Sequence, residues 1–511
     1  MSSKSTGPEW SLSRGVRCFA CVLLLALHLP GCSLMGLTGG GEGTGDDDVI
    51  GDDDVVGDDD VSSDDDVTGD DDVVGDDDDT TPDPLAGLSP GLQWVRSNPM
   101  FISGLVVSMD APSASHVDDY FDDFGATALH TWSQGLPHRV QGWRSAGRSD
   151  FSFVSWVQDD GSSMDGGAVI GGVAPGQPDR IGYQIGDEPR NMTDVHAIEQ
   201  GVAAVRAADP DALIIVNFGN PEEGTDLFDL LDYSAGTVGI DVMSYDWYGY
   251  DYGTTYERLA IHRQVALDYG IPYWRYLNSY QDLGASDWPE ESDMRWNVMS
   301  GVVYGYTGHT WFVYQAAAPP HQVVSALFDA PGTWATAETQ RYAIASQLNE
   351  ELRVLGEVLP WLTSTDVRYT PGVSWYAPSG TSPWTPGAGG DPYLASVEPV
   401  GTLPWEVQDL LIGFFVDDDG SHYVALQNPT HDSADWPLTS SDSCDFELRF
   451  NFNQAPPSVD TSRLLVLDHH LDIVRDELLM PSGVEQVVTV NIDAGDLLFF
   501  KYADGGGFVG R

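Results

Sequence analysis

The stretch Arg180-Ile-Gly-Tyr-Gln-Ile-Gly-Asp-Glu-Pro-Arg190 joins a short apolar run to a segment with helical periodicity. The apolar residues of that segment recur every three or four positions, as on one face of a helix: Val195, Ile198, Val202 and Val205. Asp209 and Pro210 then end the helix, and a second apolar run begins at Leu213. This order predicts a strand, a helix and a second strand, the repeating unit of a parallel sheet.

Eight apolar runs of this kind follow one another along the chain. They cover residues 101–109, 127–132, 151–157, 180–185, 213–218, 238–244, 272–277 and 310–314. A long helix after the last run carries an apolar stripe, Ile344, Leu348, Leu352 and Leu355, and ends near Pro360. The pattern predicts a (β/α)8 TIM barrel over residues 91–364, in which active-site residues lie at the C-terminal ends of the strands.

The pattern changes to all-β over residues 365–511. Six strands are predicted, at 411–416, 423–427, 446–452, 464–467, 487–490 and 497–502, separated by turns rich in Gly, Pro and Asp. A C-terminal β-sandwich domain is therefore expected. Such a domain binds sugar or braces the barrel, and we favour the brace because the sequence gives no sign of an exposed aromatic cluster.

The N-terminus reads as a secretory leader over residues 1–31. Lys4, Arg14 and Arg17 precede a twelve-residue apolar run, which is too short to span a membrane. The run ends in Leu29-Pro30-Gly31-Cys32, which resembles a bacterial lipobox, although Pro30 departs from the usual small residue. The resemblance implies lipidation of Cys32 and attachment to a bacterial outer membrane or cell surface through the lipid anchor only. The alternative is an ordinary signal peptide.

Residues 32–90 contain a repeat in which Asp-Asp-Asp is followed by short apolar or small residues. Such dense negative charge cannot bury a core, so we expect a disordered tether, with weak calcium binding as the less favoured interpretation. The net charge of −58 also argues against nucleic acid as a partner. Cys444 is the one cysteine after Cys32, and no zinc-like spacing of Cys and His occurs, so neither a metal nor a cofactor is expected.

Two carboxylates follow the fourth predicted strand, in Gly186-Asp187-Glu188-Pro189. Here the sequence resembles TIM-barrel glycoside hydrolases, in particular β-galactosidase-like barrels with Gly-Asp-Glu-Pro at this place. The resemblance continues in Ser244-Tyr-Asp-Trp-Tyr248, in Pro272-Tyr-Trp-Arg-Tyr276 and around the eighth strand. It implies that Glu188 is the general acid/base of a reaction on a carbohydrate.

The sequence departs from that clan in two places. No glutamate follows the seventh strand, where the chain reads Leu277-Asn278-Ser279-Tyr280-Gln281, and Asp187 stands where the clan usually has Asn. A second catalytic carboxylate must come from elsewhere, and Asp246 after the sixth strand is the preferred residue, ahead of Asp241 and Asp282. On this hypothesis Glu188 holds a proton and Asp246 stays ionised.

Other side chains near the predicted strand ends are of the types that line a sugar cleft, namely aromatic platforms and hydrogen-bonding groups. They are His130, Trp132, Asp187, Asn217, Trp247, Tyr248, Trp274, Asn278 and Tyr314. Three functions remain open in order of preference: a glycoside hydrolase, a barrel that only binds polysaccharide, and a surface lipoprotein that serves in adhesion. No Gly-x-Ser-x-Gly motif occurs in the predicted barrel, which disfavours an esterase.

Overall fold

The computed structural model describes residues 84–107, 111–131, 136–157, 179–249, 252–282, 289–315, 323–325, 327–328, 338–370, 380–401, 410–431 and 443–511. Pro84–Arg511 forms one compact unit. The leader and the Asp-rich repeat lie outside the described residues. No helix in the described part is long and apolar enough to cross a membrane.

The first ten strands are β1 Phe101–Val106, β2 Ala128–Thr131, β3 Ser152–Val157, β4 Arg180–Ile185, β5 Leu213–Phe218, β6 Val242–Tyr245, β7 Tyr273–Asn278, β8 Tyr280–Asp282, β9 Gly308–Gln315 and β10 Val323–Ser325. Strands β1 to β7 and β9 form a closed barrel in chain order, and every neighbouring pair is parallel. The predicted TIM barrel is confirmed. The short strands β8 and β10 pair antiparallel in a separate ribbon.

The helices are α1 Pro90–Ser97, α2 Ala114–Asp118, α3 Leu136–Ser145, α4 Met192–Ala208, α5 Leu227–Tyr233, α6 Tyr252–Tyr269, α7 Glu291–Tyr304 and α8 Gln340–Gly356. Helix α4 begins where the Asn191 side chain accepts hydrogen bonds from two backbone N–H groups, and it ends before Asp209 as predicted. Its buried apolar stripe faces the strands, so the periodicity of the opening stretch is the cause of its packing.

The N-terminal end of the barrel is filled by aromatic and aliphatic side chains. Trp274 stacks on Phe101 with ring centroids 4.3 Å apart, and Trp94 of α1 meets Trp274 edge-on at 5.7 Å. Inward-facing residues of several strands complete this layer, including Val154, Leu213 and Val242. The barrel interior is therefore closed at the end opposite to the expected active site.

The remaining strands are β11 Leu362–Thr370, β12 Ser382–Pro383, β13 Leu394–Pro399, β14 Leu410–Asp417, β15 His422–Gln427, β16 Cys444–Phe450, β17 Arg463–Asp468, β18 Ile473–Leu478, β19 Met480–Ser482, β20 Glu485–Ile492 and β21 Leu497–Tyr502. They form a seven-stranded sheet, β12-β11-β14-β15-β21-β17-β18, and a four-stranded sheet, β13-β16-β20-β19. A shared apolar core fills the space between the sheets, so the predicted β-sandwich is confirmed.

Helix α7 lies between the barrel and the sandwich. Every residue from Ser292 to Tyr304 is buried, which is typical of a helix covered on all sides. A side chain at Gly413 of β14 would lie 2.3 Å from the Val303 carbonyl oxygen, so glycine permits the close approach of the sheet. Ser300 donates to the Gln427 amide oxygen at 3.1 Å across the same contact. The sandwich is thus packed directly on the barrel.

Candidate active site

Glu188 lies just beyond β4 in an unusual backbone conformation. Its φ is 46°, a left-handed value that is uncommon for a residue with a side chain, and Gly186 before it has a φ of 67°. The Glu188 N–H donates to the carbonyl oxygen of Asn217 at 2.9 Å, which fixes the turn to the end of β5. A left-handed glutamate maintained by such a contact is the kind of local strain found at functional sites.

Asp246 follows β6, and its carboxyl group contacts that of Glu188. The Asp246 N–H donates to the Phe218 carbonyl oxygen at 2.9 Å, and the residue is only 7 % exposed. Gly219, which follows β5, lies directly against the side chains of Glu188 and Asp246. A Cβ atom at Gly219 would lie 2.9 Å from Glu188 Cδ and 3.0 Å from Asp246 Oδ1, so both carboxyl groups pack against this glycine.

The pKa of the Asp246 carboxyl is raised well above its ordinary value. Burial is the main cause, followed by the negative charges of Glu188 and Asp187 and by the hydrogen bond with Glu188. Asp246 is therefore expected to keep its proton to a higher pH than a free aspartic acid does. This direction does not favour the expectation that Asp246 stays ionised, because its surroundings are buried and already negative.

A chain of hydrogen bonds orients Asp187 beside this pair. Asn217 Nδ2 donates to Asp187 Oδ1 at 3.1 Å, and Ser244 Oγ donates to Asn217 Oδ1 at 3.1 Å. Ser244 and Asp246 are two residues apart on β6 and its extension, so they share the inward face of the barrel. The ends of β4, β5 and β6 are thus joined through side chains that point to one place.

Tyr248 covers one side of the carboxyl pair. Its hydroxyl donates to Asp246 Oδ2 at 3.3 Å, and its ring stacks on Phe312 at 5.1 Å and meets Tyr280 edge-on at 5.3 Å. Asn278 Nδ2 donates to the Tyr248 carbonyl oxygen at 3.1 Å, and Asn278 Oδ1 accepts from the Tyr280 N–H. Asn278 therefore positions an aromatic wall beside the carboxyl groups.

Below the carboxyl pair lies a layer that is partly polar. Tyr276 donates to the Gln184 amide oxygen at 2.9 Å across the barrel interior. His130 is packed among the rings of Trp156, Tyr276 and Phe101, with centroid distances of 5.8, 5.9 and 6.2 Å. Burial lowers the pKa of His130 to about 3, so its imidazole is neutral and belongs to the floor of the site.

The structure does not bring Trp274 or Tyr314 to this end of the barrel. Trp274 points inward near the start of β7 and fills the opposite end, as described above. Tyr314 lies where the register between β1 and β9 shifts, and it points outward over Gly104 into a cluster with Tyr120 and Phe124. Both rings are core residues, which corrects their assignment to the cleft.

Four other predicted residues either lie away from the carboxyl pair or fall outside the described residues. Trp247 packs against the apolar layer outside the strands, and Trp132 lies outside the described residues. Asp241 precedes β6 and accepts from Arg206 and from the Ile214 N–H, so it is occupied at the far end of the strand. Asp282 belongs to β8, and its side chain is beyond the described part of the chain.

Sequence reasoning missed three residues that shape the site. Gly219 belongs to no recognisable motif. Its importance is visible only in the structure, where the side chains of Glu188 and Asp246 both pack against it. Gln184 and Tyr276 form the floor, and their inward direction is visible only from their alternation with neighbours on β4 and β7. The group of described residues that could hold a metal ion, Glu351, His469 and His470, lies elsewhere.

No protein-family model and no curated protein matches this sequence. Among solved structures, the chain is similar to a glycoside hydrolase of family 5 from Bacteroides vulgatus, with 10% identity over 81% of this chain and 95% of that chain and a TM-score of 0.48. It is also similar to β-galactosidases from the haloarchaeon Halorubrum lacusprofundi and from Marinomonas ef1. The former has 13% identity over 50% of this chain and 58% of that chain, with a TM-score of 0.36. The latter has 11% identity over 50% and 60%, with a TM-score of 0.38.

Proposed function

We propose that this protein is a glycoside hydrolase that cleaves an oligo- or polysaccharide with Glu188 and Asp246 as its catalytic pair. The observation that carries the proposal is the contact of these two carboxyl groups at the C-terminal end of a closed barrel. One proton shared by two carboxyl groups supplies an acid and a carboxylate together, which is what hydrolysis of a glycosidic bond requires. The aromatic wall of Tyr248, Tyr280 and Phe312 suits the apolar face of a sugar.

Asp246 is the general acid in this mechanism. Its raised pKa keeps the carboxyl group protonated, so it donates the proton to the glycosidic oxygen as the bond to the anomeric carbon breaks. The Glu188 carboxylate attacks the anomeric carbon and forms a glycosyl ester. Asp246, now ionised, takes a proton from water, and the water oxygen displaces Glu188 from the sugar. Tyr248 donates to Asp246 Oδ2 and stabilises the charge that appears there in the first step.

The contact between the carboxyl groups favours retention of anomeric configuration. An inverting enzyme needs room for water between its carboxyl groups, which are then about 6.5–9.5 Å apart, and retaining pairs are about 5–5.5 Å apart. A hydrogen-bonded pair is closer to the second arrangement.

The test uses a panel of 4-nitrophenyl glycosides, followed by matched variants on the best substrate. Glu188→Gln and Asp246→Asn should each lower kcat by two or more orders of magnitude, roughly the value of a positioned acid or nucleophile. The activated nitrophenol leaving group should partly restore Asp246→Asn, because it departs without a proton. Azide should restore Glu188→Ala, because it replaces the missing nucleophile. Glu223→Gln, an exposed glutamate beyond β5, is the control and should be unchanged.

Three results would count against this proposal. Rescue of Glu188→Gln, and not of Asp246→Asn, by a good leaving group would reverse the two roles. A product with inverted configuration in the NMR spectrum would exclude the ester intermediate. A folded protein that binds glycans but hydrolyses none would identify a barrel that only binds carbohydrate.

The proposal extends to location. The charged leader, the short apolar run and Gly31-Cys32 support export and attachment by a lipid on Cys32. The Asp-rich repeat would then separate the barrel from the bilayer, so that polysaccharide outside the cell can reach the mouth.

A further inference from the structure

A second cluster of titratable side chains lies between α8 and the β-sandwich. Glu351 of α8 meets His469 and His470, which form the turn after β17, and Asp496, which precedes β21. His470 Nδ1 is 2.9 Å from Glu351 Oε1, and His470 Nε2 is 2.8 Å from Asp496 Oδ2. His469 Nε2 is 3.2 Å from Asp496 Oδ1. The catalytic proposal uses none of these residues.

The spacing within the cluster suits a divalent transition metal. One ligand atom from each of Glu351, His469 and His470 lies within 4.8 Å of the others. Neighbouring ligands of a tetrahedral zinc ion with bonds of about 2.0 Å are about 3.3 Å apart, so a small inward movement of these atoms would place them on one ion. Two imidazoles and a carboxylate are also a common protein ligand set for zinc.

Outer contacts hold the ligands in place. Gln347 donates to Glu351 Oε1 at 2.9 Å, and Arg295 donates to Glu351 Oε2 at 2.6 Å. Asp496 accepts from the Leu497 N–H and contacts His470 Nε2, the ring nitrogen opposite to the one that faces Glu351, as second carboxylates do in metal sites. Arg295 lies beside both carboxylates, 2.6 Å from Glu351 Oε2 and 3.7 Å from Asp496 Oδ2, and holds them in position.

The cluster is open to solvent on one side. A cavity of about 430 Å³ is lined by Gln347, Glu350, Glu351, His469 and His470, among others. Glu351 and His469 are buried, whereas the His470 side chain is 39 % exposed. An ion can therefore enter past His470, and water from the cavity can supply a fourth ligand.

We propose that Glu351, His469 and His470 bind one zinc ion, or a similar divalent transition metal, that joins the barrel to the β-sandwich. The ion would link α8 to the turn after β17, two elements more than one hundred residues apart in the chain. A metal that binds the folded state alone stabilises it, so the role we assign is structural. This inference is independent of the proposed hydrolase activity and is tested without a substrate.

The experiment measures zinc binding to the full-length protein after treatment with EDTA, by calorimetry and by thermal melting. We expect one zinc site per chain in the wild type. His469→Ala and His470→Ala should each lower the zinc affinity at least about tenfold, because removal of a ligand should cost no less than substitutions in the outer shell usually do. At one fixed zinc concentration that saturates the wild type, zinc should raise the wild-type Tm by about 3–5 °C and raise the Tm of both variants by clearly less. Cobalt in place of zinc should give the visible absorption of a four-coordinate site in the wild type only.

The control is His196→Ala, in which an exposed histidine beside Glu199 on α4 is removed. This variant should bind zinc with the affinity of the wild type. Any weak zinc binding by the Asp-rich repeat is the same in all three variants and therefore does not affect the comparison. Melting in EDTA verifies that His470→Ala is folded. Equal zinc affinity in the wild type and His470→Ala, or no change of Tm with zinc, would overturn the proposal and leave the cluster as an ion-pair network.

Discussion

The N–H of Glu188 and the carbonyl oxygen of Asn217 are joined by a hydrogen bond of 2.9 Å. The next carbonyl along the chain, that of Phe218, accepts from the Asp246 N–H at the same distance. Two consecutive peptide groups at the end of β5 therefore position the backbones of both carboxylates. The third residue of this segment, Gly219, packs against the side chains, so residues 217–219 determine the geometry of the pair.

Gly219→Ala is expected to lower kcat/KM about 100-fold, since displacement of a reacting group by roughly 1 Å has this effect. The added methyl group would lie 2.7 Å from Glu188 Cγ and must push the carboxyl pair apart. Overpacking should also cost about 1–3 kcal/mol of unfolding free energy. Steady-state kinetics and urea unfolding measure the two effects. Gly507→Ala, where the methyl group meets nothing within 4 Å, should behave as the wild type; normal activity in Gly219→Ala would show that the pair tolerates displacement.

Asp246→Asn is expected to change how stability depends on pH. A carboxyl pKa raised by folding means that the native state binds a proton which the unfolded chain releases above pH of about 3.9. Wild-type stability contributed by this group is present in acid and is lost as pH rises toward the raised pKa, with a slope of at most about 1.4 kcal/mol per pH unit. The Tm of Asp246→Asn relative to the wild type should therefore increase from pH 4 to pH 8. A constant difference across that range would mean that Asp246 titrates normally.

Trp274→Ala should destabilise the protein by about 3–5 kcal/mol, the usual cost of removing a buried aromatic side chain. The ring stacks on Phe101 at the closed end of the barrel, far from the carboxyl pair, so KM for an aryl glycoside should stay the same. Trp274→Leu provides a milder variant for kinetics. Tyr248→Ala is the contrasting substitution, with a raised KM or a reduced kcat. A raised KM in Trp274→Leu would place its ring in the cleft after all.

Cys32→Ser should abolish incorporation of labelled palmitate when the gene is expressed in a bacterium with lipoprotein processing. The wild-type protein should take up the label and fractionate with membranes, because one diacylated N-terminus anchors a chain that has an export leader. Cys444→Ser is the matched control and should be labelled normally. Equal labelling of the wild type and Cys32→Ser would leave an ordinary secretory signal.

Periodicity predicted the architecture because the fold depends on it. Each barrel strand falls within a predicted apolar run or overlaps with one, and each of the six predicted sandwich strands matches an observed strand. The sequence did not predict β8 and β10, which are three residues each and too short for alternation to be visible. It also did not predict five sandwich strands, namely β11, β12, β13, β18 and β19. Helix α7 was not predicted either, because burial on all sides removes the amphipathic stripe by which a helix is recognised.

The site could be predicted in part. Glu188 and Asp246 follow strands of the barrel, and parallel strands bring such positions to one edge. Depth within the barrel was not predictable, since Trp274 and Asn278 face the same way on β7 and lie at opposite ends of it. The outward direction of Tyr314 depends on an irregular register with β1. The raised pKa of Asp246 depends on burial and on neighbours that meet only in three dimensions.

The stack of Trp94, Trp274 and Phe101 closes the N-terminal end of the barrel, so a ligand reaches the carboxyl pair from the C-terminal end. In the hydrolase proposed above, substrate and product would use the same side of the barrel. A product that stays bound beside Glu188 and Asp246 would therefore compete with new substrate, and product inhibition would be competitive.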